Sequence, residues 1–327
     1  MPEIVDGPWK GSLPKQAGQV FVKNDFSYIV ITPVRNEQER FQRTIDSLVA
    51  QTVRPARWII VDDGSQDDTG ALADRAAARH SWLRIVHRAD RGFRKQGDGV
   101  MEAFYDGFNL VEGEPWDFLV KLDGDLRFGG DYFERCFARF AEDDQLGIGG
   151  GRIHCEVNGV AREDSPGDPS FHVRGATKIY RRACWTAIGG LVRQTGWDTL
   201  DELKANMLGW RTYSFPELAV LQLKSTGAAD GSWRNWIKNG RANYITGYHP
   251  LFMLVKCASR AFRPPYGVGA AGLAWGYLSG YLRQAQQVDD PELVRFIRRQ
   301  QINHLLCRES LWRNRSGGNG RRPGPAT

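Results

Sequence analysis

Three short acidic segments carry residues that could do chemistry together: VDDGSQDD at 61–68, DGD at 123–125 and WDTLDE at 197–202. Carboxylates are the hard oxygen donors that Mg2+ and Mn2+ prefer, and Mg2+ is usually held by one or two of them together with substrate phosphates. Asp123 and Asp125 are separated by Gly124 alone. The spacing puts two carboxylates in one local cluster, and the bare glycine would let backbone and ligand approach closely. The pair is therefore a candidate metal and diphosphate clamp; taken alone it would be a plain Asp-Gly turn. An EF-hand loop would need Asp or Asn at position 127 and Gly at 128, where Arg127 and Phe128 stand. The histidines show no zinc-like spacing, although His249 in TGYHP could complete a metal site from a C-terminal loop.

The elements that must position these acids follow a regular alternation. SYIVIT (27–32), RWIIVDD (57–63), WLRIVHR (82–88) and WDFLVKLD (116–123) are short, nearly continuous apolar runs, the pattern of strands covered on both faces. EQERFQRTIDSLVAQT (37–52), DDTGALADRAAARH (67–80), GDGVMEAFYDGFNLV (97–111) and DYFERCFARFAED (131–143) read as helices between and after them. Strands alternating with helices predict an α/β fold with a mostly parallel sheet, whose ligands bind beyond the carboxyl ends of the strands. That rim would hold Thr32 to Asn36, Asp62 to Ser65, Arg88 to Lys95 and Asp123 to Asp125. A dinucleotide fold would need G-x-G-x-x-G after the first strand, where TPVRNE stands. Further on, 146–157 reads as a strand with a glycine-rich lead-in and 158–172 as a mobile loop. Residues 173–190 read as a strand and a short helix, and 198–210 as a helix stopped by Gly209.

YIVITPVRNE, IIVDDGSQDDT and LVKLDGDL, in that order and spacing, resemble the nucleotide-binding motifs of family 2 glycosyltransferases, inverting enzymes with the GT-A fold. KIYRRACWTAIGGL resembles the family's segment before the acceptor site, and WDTLDELKANMLGW its acidic, base-carrying helix. The resemblance covers roughly residues 27–215. It implies a nucleotide-sugar donor and an Mn2+ or Mg2+ cofactor, with Asp125 on the metal and Asp123 on the ribose or metal. It also implies Asp62 or Asp63 on the base, expected to be uracil, in a pocket lined by Thr32, Pro33, Arg35 and Asn36, with Gly124, Arg94 and Lys95 near the nucleotide. Counting back from Gly209, the family's catalytic aspartate falls on Asp198. The preceding family glutamate is replaced by Trp197, which leaves Asp201 as a second choice.

The net charge of +6 is unevenly placed. Residues 231–327 hold 15 Lys and Arg against 4 Asp and Glu, whereas the first 230 hold 29 against 34. A basic C-terminal part could meet anionic lipid, a phosphorylated ligand or nucleic acid. The family's processive polysaccharide synthases carry Gln-x-x-Arg-Trp after the base; its absence here argues for single-sugar transfer. Residues 264–282 carry no charge, with Gly272, Gly276 and Gly280 on one helical face. That run suits a surface or re-entrant membrane segment, or a helical hairpin packed on the catalytic domain or a second subunit, better than a membrane span.

The expected organisation is an arm over 1–26, a catalytic domain over 27–230 (nucleotide half 27–126, acceptor half 127–230), a basic helical extension over 231–312 and a disordered tail over 313–327. The five scattered cysteines and the lack of an apolar N-terminal core suggest a cytoplasmic protein, at or near the inner membrane face. The expected acceptor is a glycan or a lipid-linked sugar, and homo-oligomerisation is an open alternative. A sugar-phosphate nucleotidyltransferase would need glycines after the first strand. A nucleic-acid-binding protein would leave the acidic rim unexplained, and no nucleic acid is expected as a partner.

Overall fold

The computed structural model describes residues 26–90, 92, 98–157, 160–193, 196–224 and 231–313. The expected alternation forms as β1 (Tyr28–Val34), α1 (Gln38–Val49), β2 (Arg57–Asp62), α2 (Thr69–Arg79), β3 (Leu83–His87), α3 (Asp98–Phe108) and β4 (Phe118–Leu122). β3, β2, β1 and β4 lie side by side and all parallel. Side chains alternate across a strand, so each strand feeds two cores. Tyr28 and Val30 pack with Phe41 of α1 on one face, while Ile29 and Ile31 pack with Met101 and Phe104 of α3 on the other.

The second half is more mixed. It comprises β5 (Leu126–Arg127), α4 (Tyr132–Ala141), β6 (Leu146–Val157), β7 (Val160–Glu163), β8 (Thr177–Arg181), α5 (Arg182–Ile188), α6 (Trp197–Met207) and β9 (Arg211–Gln222). The sheet continues from β4 as β8, β6, β9 and β5, with β7 beside β6. β8 is antiparallel to both β4 and β6, β6 and β9 are parallel, and β5 runs against β9. The stretch expected to be a mobile loop instead contributes β7, which pairs back on β6. The segment after it is held by ion pairs of Arg174 with Asp164 (3.0 Å) and Asp168 (3.7 Å). β9 has Pro216 in its middle, where the β6–β9 register jumps between Gly151↔Phe215 and Arg152↔Ala219. A residue lacking an N–H is tolerated at such an irregularity.

Four helices follow: α7 (Gly231–Ile245), α8 (Pro250–Ala261), α9 (Val268–Leu282) and α10 (Pro291–Leu305). The glycine face of α9 packs against α7. A Cβ at Gly276 would fall 2.0 Å from the Ile237 carbonyl oxygen, and one at Gly240 would fall 2.1 Å from that of Leu273. Only glycine permits two helix backbones to come this close. Among the described residues no helix is long and apolar enough to cross a membrane. These helices share one core with the preceding residues, where Phe171, Leu200 and Leu203 pack with Tyr244, Phe252, Tyr277 and Ile297.

Candidate active site

The carboxyl ends of β1, β2 and β4 bring Arg35, Asp62 and Asp123 to one rim, as the parallel order requires. Asp125 follows in a rigid turn. The Thr44 hydroxyl of α1 accepts from Leu126 N–H and donates to the Leu126 carbonyl, both at 2.9 Å. Leu223 N–H donates to the Asp125 carbonyl (2.8 Å), tying the turn to the end of β9. The Asp125 side chain is buried and accepts from Gln222 Nε2 at 3.2 Å. Burial, then the neighbouring charges of Asp123 and Glu37, pushes its carboxyl up to about 7. Glu37 pairs through Oε1 with Lys224 (3.0 Å), but its buried Oε2 has no hydrogen-bond partner among the described residues. Arg40 Nη1 lies 3.8 Å from that oxygen, so Glu37 has a cation on each side, while Asp125 is buried beside the two other acids.

Asp123 is partly exposed and better compensated. The buried Lys121 ammonium donates to its carboxylate and to the Gly175 carbonyl (2.6 Å). Lys121 lies directly across the β4–β8 ladder from Lys178. Two like charges opposite each other would repel, yet each has its own acids: Asp123 for Lys121, Asp201 (2.9 Å) and Glu202 (2.7 Å) for Lys178. Both ammonium groups also face the ring of Trp197, at 5.3 and 5.7 Å from its centroid, within cation–π range. Trp197 opens α6 beside this pair, which gives the aromatic side chain a local role where an acid was expected.

Asp201 and Glu202 are consumed by this network. Asp201 also accepts from the Tyr180 hydroxyl (2.6 Å), and Glu202 accepts from Val173 N–H (2.7 Å) and lies 2.9 Å from His172 Nδ1. Burial lowers Lys178 in isolation, but Asp201 and Glu202 more than offset it and hold the ammonium charged. Asp198, one turn earlier on α6, is half-buried rather than buried. Its carbonyl accepts from Lys178 Nζ at 2.5 Å. A methyl on Gly175, the residue whose carbonyl holds Lys121, would lie 3.2 Å from the Asp198 Cβ. Gly175 therefore links the surroundings of Asp123 to those of Asp198.

Residues 29–191 match the model for glycosyl transferase family 2. The chain belongs to that family. The uncharacterized glycosyltransferase EpsJ of Bacillus subtilis is 31% identical over 121 residues, covering 37% of this chain and 32% of the relative. An undecaprenyl-phosphate mannosyltransferase of Micrococcus luteus is 32% identical over 97 residues, covering 30% of this chain and 37% of that one. The chain thus spans about a third of the length of these relatives. The crystal structure of GalNAc-T7 with UDP, GalNAc and Mn2+ superposes with a TM-score of 0.52 at 13% identity, covering 80% of this chain and 56% of that chain. This likeness supports the expected GT-A fold. Family membership also decides against the nucleotidyltransferase alternative.

In this family 2 glycosyltransferase the rim beside β1 and β2 is tightly cross-braced. Asp62 accepts from Ser65 N–H (3.0 Å) and sits 3.2 Å from His87 Nδ1. Asp63 pairs with Arg88 Nη1 at 2.5 Å, and Arg88 also reaches Asp106 (2.8 Å). Arg35 donates to the Asp63 carbonyl (2.5 Å) and pairs with Asp90 (2.7 Å). Asn36, exposed and at φ 53°, accepts from Gln66 N–H (2.8 Å), and Pro33 is half-buried. Arg94 and Lys95 lie outside the described residues.

Three sequence expectations for the transferase need correction. Thr32 occupies an inward position of β1; it is fully buried and its hydroxyl accepts from Trp58 Nε1 (2.9 Å), so it offers no side chain to a nucleotide pocket. Gly124 does not clear space for a ligand: a Cβ there would meet Val34 Cγ1 at 2.5 Å and Phe41 Cδ2 at 3.2 Å, on the core side. His249 is the N-cap of α8, its Nδ1 accepting from Leu251 N–H at 3.1 Å. Among the described residues no group of three or more His, Cys, Asp or Glu has a metal-holding arrangement, which holds for Asp123, Asp125 and Glu37 as much as for His249. Glu37, Gln222 and Lys224 were not singled out from the sequence. Glu37 ends the quoted YIVITPVRNE and so had a rim signal, whereas Gln222 lies 97 residues from Asp125 on a strand with no local cue.

Proposed function

We propose that the chain is an inverting, metal-dependent transferase that moves one sugar from a nucleotide-sugar donor, best read as a UDP-sugar, to a glycan or lipid-linked acceptor. The observation that carries this reading is the buried Asp125 carboxylate, beside Asp123 and Glu37, at the carboxyl end of the parallel sheet. Hard oxygen donors around a carboxyl that burial and like charge push up to about 7 suit a divalent cation. Asp125 is the better ligand, because Asp123 already carries Lys121; Asp123 completes the site or meets the ribose. A Mg2+ or Mn2+ ion bound there would offset the charge that grows on the diphosphate as its bond to the sugar breaks.

The chain's own residues supply the rest. Asp62 and Asp63, with Pro33, Arg35 and Asn36, form the candidate base and ribose wall. Asp198 is the candidate general base, taking the proton from the acceptor hydroxyl on the face of the sugar opposite the leaving diphosphate. One displacement then inverts the anomeric carbon without a sugar–enzyme bond. The name of the Micrococcus luteus relative supports a lipid-linked acceptor. On this reading 27–230 is the catalytic unit and 231–312 an extension beside its acceptor half. A thermal-shift screen of nucleotide sugars, with Mn2+ and with a chelator, tests the assignment. A metal-dependent rise with a UDP-sugar is expected; no rise with any nucleotide sugar would overturn it.

A further inference from the structure

The hairpin of α8 and α9 carries a large apolar surface that the catalytic reading does not use. Along α9, Val268, Trp275, Leu278 and Leu282 are exposed at spacings that keep them on one side, opposite the glycine face packed on α7. Leu251, Leu254 and Val255 are exposed on α8. Between the helices, Phe262 is 83% and Tyr266 71% exposed, flanking Arg263 and two prolines at the hairpin tip. Exposed apolar side chains gathered on one hairpin of a folded domain suit a contact site.

We propose that this face docks on an anionic lipid bilayer, with the hairpin lying in the interface plane. Charge selects this occupant. From 231 to 288 the sequence has seven Lys and Arg and no Asp or Glu. Arg263 and Arg283 are exposed beyond the two ends of α9, and cations flanking an apolar stripe suit lipid phosphates while the stripe enters the headgroup boundary. Among the described residues Asp168 acts on Lys256 of the hairpin from a neighbouring segment, and it is paired with Arg174. A second copy of the chain would bring the exposed Arg263 and Arg283 of both copies together with no acid of 231–288 to pair them, which costs free energy. With 15 residues, α9 is about 22 Å long, too short to span a hydrocarbon core of about 30 Å and suited to lying on it.

The test uses the full-length protein and flotation with phosphatidylglycerol–phosphatidylcholine vesicles, against pure phosphatidylcholine vesicles, at low and high salt. Binding to the anionic vesicles, weakened by salt, is expected. Phe262→Asp and Leu278→Asp, both at exposed positions, should each lower the partition coefficient about tenfold while leaving the melting temperature unchanged. Failure of the wild type to float, or equal flotation of wild type and variants, overturns the proposal. A concentration-dependent dimer that Leu278→Asp dissociates, with no vesicle binding, also overturns it and makes the face a self-association surface. The readout is independent of sugar transfer, so it can fail while the enzymatic reading stands.

Discussion

Lys178 Nζ lies 2.9 Å from Asp201 and 2.7 Å from Glu202, and water reaches none of the three side chains appreciably. A buried ammonium needs both acids, and each acid needs the ammonium, because removing one partner strands an uncompensated charge. This arrangement turns the ambiguity between Asp198 and Asp201 into a structural question. Asp201 holds the α6–β8 junction together, while Asp198 meets Lys178 through its carbonyl and acts on it with its carboxylate charge only. Lys178→Met should therefore cost about 3–5 kcal/mol of stability. Urea denaturation measures it, and a loss below about 1 kcal/mol would show that the pair is not a structural tie.

Asp198→Asn should separate chemistry from stability. The side chain is half-buried and the substitution nearly isosteric, so unfolding free energy should change by no more than about 0.5 kcal/mol. Donor binding should persist while transfer falls about 100-fold or more, the contribution expected of a general base. Asp201→Asn should show the reverse weighting, with a lowered melting temperature. Full transfer by Asp198→Asn would remove it as the base.

The parallel half of the fold was legible because strands covered on both faces are written as unbroken apolar runs, and their carboxyl ends place Arg35, Asp62 and Asp123 together by topology alone. In the mixed half β6, β8, α5 and α6 were legible, but β5, β7 and β9 were not. β5 has only two residues, and β9 carries Pro216 at a register jump, so neither presents the pattern of a buried strand. Without β9 there was no way to bring Gln222 and Lys224 to Asp125. Gly124 was visible as a special position, but the direction its missing Cβ faces depends on how Val34 and Phe41 pack. Spacing carries no such information.

Gly124→Ala tests that packing. The added methyl would need Val34 or Phe41 to give way, an overpacking cost of about 1–3 kcal/mol. The loss should appear in thermal or urea unfolding of the ligand-free protein. If stability is unchanged and only nucleotide affinity drops, the glycine faces the ligand after all.

Asp125 makes a prediction that depends on pH. Its ordinary value is 3.8 and its folded value about 7, so between those limits the folded protein binds more protons than the unfolded one. Stability then falls as pH rises through that window, and the full penalty is present above it. At about 1.4 kcal/mol per unit the penalty is a few kcal/mol. Without divalent cations the wild type should therefore melt lower at pH 8 than at pH 5 by more than Asp125→Asn does. At pH 8 the uncharged variant should be the more stable of the two. Mn2+ competes with the proton for the same oxygens, so it should raise the wild-type melting temperature more at pH 8 than at pH 6, and leave Asp125→Asn nearly unmoved. Equal Mn2+ shifts in the two proteins would remove Asp125 as the metal ligand, whatever the pH profile of the ligand-free form.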